Sequence, residues 1–93
     1  MVDEPSPVMF DHLYSLSDRG AYDEIISHIR DHDDEAVRYG AAGVLSESVD
    51  EFIEEITPET RTALVRAVLT DPSDAVRANV VRTLLRIDKS PAH

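Results

Sequence analysis

The chain predicts an all-α fold, a short α–α superhelix of two three-helix repeats in one domain spanning residues 1–93. Three observations carry that prediction. Apolar residues recur at helical spacing, and no segment sustains the alternation of a strand. Helix start and stop signals bracket the segments. The whole apolar pattern then recurs 39 residues later.

Six segments, two of them short, read as helices. Ser6-Pro7 is a cap followed by a first-turn proline, and the segment from Val8 to Leu16 places Met9, Leu13 and Leu16 on one face before Gly20 stops it. Tyr22, Ile25, Ile26 and Ile29 follow the i, i+3, i+4, i+7 rule, and the polar run Asp31 to Asp34 ends that helix. The third helix carries Val37, Ala41, Val44 and Leu45. Ser48-Val49-Asp50-Glu51 has capping-box form, so a fourth helix is predicted with Val49, Phe52, Ile53 and Ile56 apolar. Thr57-Pro58 caps a fifth, with Leu64, Val65, Val68 and Leu69 apolar. Asp71-Pro72-Ser73-Asp74 opens the last, with Val76, Val80, Leu84 and Ile87 on its apolar face and Ser90-Pro91 as its end.

Shifting the chain by 39 superimposes these faces. Phe10, Leu13 and Tyr14 fall on Val49, Phe52 and Ile53; Ile25, Ile26 and Ile29 fall on Leu64, Val65 and Val68; Ala41, Ala42 and Leu45 fall on Val80, Val81 and Leu84. The triplet Ala36-Val37-Arg38 recurs as Ala75-Val76-Arg77. Two units result, 10–48 and 49–87. Each has an apolar stripe that a lone hairpin cannot cover, so the units must stack. The small residues Gly40, Ala41, Ala42 and Gly43 allow close helix approach; glycine weakens an isolated helix by about 1 kcal/mol, a cost that only a packed helix offsets.

The segments DDEAVRYGAAGVL and PSDAVRANVVRTL resemble the second half of a HEAT-like repeat: an acidic loop, Val-Arg, small or apolar residues three and four later, then Leu. A 39-residue three-helix unit is also similar to the armadillo variant. The resemblance is specific over these two segments of about 13 residues and class-level elsewhere. It implies a protein–protein interaction scaffold without catalysis of its own. Two repeats are fewer than the three or more usual in solenoids, so the segment 8–16 is expected to cap one end, leaving the other, near Leu85 and Ile87, for a partner or a second copy.

Charge narrows the function. There are 19 acids and 9 bases, net −10, and Lys89 is the one lysine. High Asp with almost no Lys resembles proteins of extreme halophiles. Residues 1–60 hold 16 acids and 3 bases, net −13, whereas residues 61–93 hold 3 acids and 6 bases, net +3. Nucleic acid is disfavoured as a partner, because phosphate contact dominates such binding; the alternative reading keeps an anion- or nucleic-acid-binding role for the basic C-terminal helix. With no cysteine, no basic leader and no long apolar run, a cytoplasmic protein away from membranes is expected.

Candidate chemistry is sparse. His28 and His32 lie at i, i+4, a spacing that suits a divalent metal, but Ile29 occupies the position where a zinc protease needs Glu; a helix end and turn are expected instead, with no metal and no cofactor. Arg38 and Arg77 are expected to fix turns by bonding loop carboxylates or helix-end carbonyls. Ser27-His28 has no third partner at a recognisable spacing, and the carboxylates of EFIEE fall on a solvated face, so no catalytic residue is assigned. The candidate partner-binding residues are Asn79, Arg82, Arg86 and Lys89, which the helical spacing places in line on a face away from the core stripe. They would meet an acidic protein partner or a second copy.

A chain of net −10 repels itself in dilute buffer, and molar salt shortens the screening length to about 3 Å. The melting temperature is therefore expected to rise between dilute buffer and molar potassium chloride, by about 4–8 °C per kcal/mol of repulsion removed. A flat or falling melting temperature in calorimetry would count against the halophile-like reading.

Overall fold

A computed structural model describes residues 5–89, and every regular element among them is helical. α1 spans Pro7–Asp18, α2 Tyr22–Asp31, α3 Glu35–Phe52, α4 Pro58–Thr70 and α5 Asp74–Lys89, with a 3-10 turn at Ile53–Glu55 directly after α3. The end signal at Ser90-Pro91 lies outside the described residues. Among those described, no helix is long and apolar enough to cross a membrane.

Local chemistry sets most of the boundaries. The Ser6 hydroxyl accepts from the Met9 N–H at 3.2 Å ahead of Pro7, and Thr57 accepts from the Thr60 N–H at 3.1 Å ahead of Pro58. Each satisfies one of the orphan donors of a helix N-terminus. α1 ends in a Schellman turn: Gly20 has φ +74°, its N–H reaches the Ser17 carbonyl, and the Ala21 N–H reaches that of Leu16.

One expected boundary does not exist. The Ser48-x-x-Glu51 pattern starts no helix, because α3 runs through it to Phe52. Ser48 is buried, and its hydroxyl lies 2.7 Å from that of Ser17 on α1. Continuing α3 extends the buried stripe from Leu45 to Val49 and Phe52, and the Phe52 ring stacks on Tyr22 with centroids 4.3 Å apart. Burying Phe52 contributes about 1.5–3 kcal/mol, against about 1 kcal/mol for a cap, so packing wins. The separate helix expected at 49–56 is instead the last turn of α3 plus the 3-10 turn, leaving five α-helices rather than six among the described residues.

The helices stack as two hairpins. α2 pairs with α3 and α4 with α5; across the hairpins α2 lies on α4 and α3 on α5, while α1 packs against α2 and α3. Leu13, Leu16, Ile25, Ile29, Leu45 and Leu64 are almost or wholly inaccessible at the centre. Gly40 makes the fit at α1 possible: a Cβ there would stand 2.5 Å from Pro5 Cγ and 3.3 Å from Leu13 Cδ1. Burial departs from the expected stripes in the second hairpin. Leu69 is 78% exposed, Leu84 is only half-buried, and Thr83 is the fully buried residue beside it, donating to the Asn79 carbonyl at 3.1 Å.

The α2–α3 and α4–α5 turns share one bonding plan. In the first, the Asp34 N–H donates to His32 Nδ1 at 3.1 Å, Asp34 caps α3 through the Ala36 N–H, and Arg38 Nη1 donates to the His32 carbonyl at 3.0 Å. In the second, 39 residues on, the Ser73 N–H donates to Asp71 Oδ1 at 2.9 Å, Ser73 caps α5 through the Val76 N–H, and Arg77 Nη1 donates to the Asp71 carbonyl at 2.6 Å. The expected structural role of both arginines is what their bonds show. Arg38 goes further. It also bonds the Asp33 carbonyl and reaches across to the Asp71 carboxylate, with Nε at 2.9 Å and Nη2 at 3.4 Å. Both side chains of that pair are buried, 12% and 5% exposed.

Removing one member of a buried ion pair leaves the other uncompensated and costs about 3–5 kcal/mol. Arg38→Met is expected to lose that much in urea unfolding. Arg77 bonds one carbonyl and the highly exposed Asp74, so Arg77→Met is expected to cost no more than about 1.5 kcal/mol. Equal losses would show that the Asp71 pairing is not what distinguishes them.

Candidate functional site

α3 and α5 lie side by side, and a groove of about 440 Å³ runs between them. α3 contributes Ser46, Glu47 and Asp50, and α5 contributes Arg82, Leu85, Arg86 and Lys89. Three of the four residues expected at a partner surface are thus brought together. Arg86 forms an ion pair with Asp50 across the groove, both side chains more than half exposed. Lys89 and Leu85 are also exposed, Leu85 at 51%.

Asn79 corrects the expectation. It is 8% exposed and lies beneath the surface, not on it. Its Oδ1 accepts from Arg82 Nη1 at 3.0 Å, so it positions a groove cation instead of meeting a partner. The physical reason is angular: Asn79 sits three residues after Val76 and four before Thr83, both fully buried, and residues three and four apart share a helix face.

The α3 half of the groove was not predicted from sequence. Glu47 and Asp50 come into place only because α3 continues past Ser48. Glu47 is further held from α1, where the Tyr14 hydroxyl donates to it at 2.9 Å. That bond, with lesser help from burial and the carboxylate charge, raises the Tyr14 pKa above its usual 10.

A larger groove, about 890 Å³, lies between α2 and α4 and includes Arg30, His32, Glu59, Arg66 and Thr70. Its most buried ionic groups, Arg38 and Asp71, are committed to the turns, and Arg30 pairs with neighbouring Asp31. It offers fewer free groups than its volume suggests. Three aspartates line it, Asp31 and Asp33 exposed and Asp71 buried.

Three histidines gather where α1 meets α2. The His28 ring lies 5.8 Å, centre to centre, from both His12 and His32. His32 is the C-cap residue of α2, in the turn as expected, and its Nδ1 is occupied by the Asp34 N–H. His28 Nε2 is buried with no hydrogen-bond partner. Among the described residues, no group of three or more His, Cys, Asp or Glu is arranged to hold a metal ion. Burial lowers the His28 pKa below the usual 6.5, and charge on His12 and His32 lowers it further, against a smaller opposing effect of Glu24.

Comparison with protein-family models, curated proteins and solved structures finds no match to this chain. The class defined by the fold is an all-helical protein of two stacked hairpins with an N-terminal covering helix.

The lowered His28 pKa fixes the sign of a pH effect. As pH falls through 6.5, the unfolded chain takes up this proton before the folded chain does, so stability is lost progressively until the folded-state pKa is reached. Carboxylate protonation acts in the same range on any variant, so the readout is a difference. The melting temperature of His28→Gln relative to wild type is expected to rise as pH drops from about 7.5 to about 5. A constant difference would show that His28 titrates alike in both states.

Proposed function

We propose that this chain is a protein–protein interaction module, a minimal HEAT- or armadillo-like stack without catalysis of its own, and that the α3–α5 groove is where a partner binds. The single observation that carries this reading is the groove itself: exposed Leu85 set among Arg82, Arg86 and Lys89 in the net-positive third of an acidic chain. The matching turns at an interval of 39 residues support the two-repeat reading. An apolar residue ringed by cations suits a segment that pairs acidic side chains with an apolar anchor. Glu47 and Asp50 in the same groove favour a partner that also brings a base, and they count against the anion- or nucleic-acid-binding alternative, because a phosphate backbone would meet both carboxylates.

The test is selection from a displayed peptide library. Peptides that combine Asp or Glu with a large apolar residue are expected to be enriched, and to bind Arg82→Glu, Arg86→Glu at least about tenfold more weakly, which is about 1.4 kcal/mol. Both residues are exposed, so the variant should fold. Selected peptides that bind wild type and variant alike would place the site elsewhere. Duplex DNA binding that weakens steeply with salt would support the alternative instead.

A further inference from the structure

The outer side of the α4–α5 hairpin has the character of a contact surface. In the first hairpin, Ile26, Ala42 and Leu45 are 6%, 0% and 0% exposed. The second hairpin, lying on α2 and α3, completes their burial. Thirty-nine residues on stand Val65, Val81 and Leu84. They are as apolar, yet Val65 and Leu84 are only half-buried and Val81 is 37% exposed. Leu69, one turn beyond Val65, replaces a charged residue, Arg30, and is 78% exposed. The pattern of a buried inter-hairpin face is repeated where no described residue covers it.

We infer that a second copy of this chain covers it, in a two-fold contact of this face with itself. Charge selects the occupant. The acid excess lies in residues 1–60, and like charge keeps two such surfaces apart. The outer α4–α5 face is different because its charges cancel locally. Arg61 pairs with Asp88 at one end, and Arg77 pairs with Asp74 at the other. The apolar residues lie between these pairs. A two-fold axis through the middle of the strip brings the Arg61–Asp88 pair of one copy toward the Arg77–Asp74 pair of the other, so neutral ion pairs, not net charges, meet at the two ends. An isologous contact requires this self-complementarity. The head-to-tail alternative fits less well. It would press the apolar strip onto the exposed side of α1, where Val8 is 80% exposed but Asp11, Ser15 and Asp18 are its exposed neighbours at helical spacing.

This inference goes beyond the groove, which lies on another side of α5, and it can fail separately. Light scattering in molar potassium chloride is expected to give twice the 10.4 kDa chain mass. Leu69→Glu with Val81→Glu is expected to give the single mass with unchanged helical circular dichroism. The chain has no cysteine, so Val81→Cys alone should form a disulfide-linked pair on mild oxidation. A single mass up to about 1 mM overturns the inference, as does a dimer that survives the double substitution. Cross-linking between Val8→Cys and Leu69→Cys chains, without self-linking of Val81→Cys, overturns the two-fold geometry. Peptide binding in the α3–α5 groove is read separately, through Arg82→Glu, Arg86→Glu, so failure of the dimer leaves that reading standing.

Discussion

The buried Arg38–Asp71 pair is the contact on which the arrangement of the hairpins depends. Arg38 closes its own turn through two backbone carbonyls and grips the next turn through a carboxylate. A guanidinium can do this because its five donors are held in a planar fork, whereas a lysine ammonium offers a compact point charge without that geometry. Buried ions stabilise only when their remaining bonding capacity is met, and Asp71 meets it by also accepting the Ser73 N–H. One side chain thereby ties the two hairpin turns together. It acts beside the apolar packing of α3 on α5, which brings the two sides of the groove together.

Charge is distributed around this frame unevenly. Asp23, Glu24, Asp31, Asp33, Asp34 and Glu35 are all exposed, as are Glu51, Glu54 and Glu55 after them. Such a surface repels other acidic chains over a Debye length and favours approach from the one side where bases gather. Position on α5 therefore matters more than the number of cations there. Arg86 is held by Asp50 and Arg82 by Asn79, so a partner bound at the proposed groove would cost these side chains less conformational entropy than free ones.

The sequence was legible where a local signal decides the outcome. The Ser6-Pro7 and Thr57-Pro58 caps, the Gly20 stop and the turn arginines all depend on residues within a few positions of each other. It was misleading where a distant partner decides. Ser48 and Glu51 look like a cap until Ser17 and Tyr22 are seen beside them; only packing against α1 and α2 turns that segment into the end of α3. Asn79 looks like a surface residue until Val76 and Thr83 fix which way the helix faces. Leu84 and Leu69 fail for another reason. The same side chain 39 residues on need not have the same cover. Leu45 lies beneath the second hairpin and is wholly buried, whereas among the described residues no further hairpin lies over Leu84, which is half-buried. The groove acids Glu47 and Asp50 were hidden by the same false boundary at Ser48.

α5 concentrates these consequences because it presents three sides. At 3.6 residues per turn, Val76, Val80, Thr83 and Ile87 fall together into the core. Arg82, Arg86 and Lys89 fall on the α3 side, and Val81 with Leu84 falls on the outer side. Leu85 lines the groove yet sits one turn from Val81, so it borders both surfaces. A residue shared in this way would couple the two proposed contacts. A groove partner that covers Leu85 changes the apolar area beside Val81, and a second copy packed over Val81 changes what the groove partner meets. Linkage requires the effect to be equal in both directions. The sign follows from whether the occupants touch: contact between them across Leu85 gives cooperation, and competition for Leu85 gives antagonism. Because one rigid helix carries both surfaces, the coupling needs no change of fold.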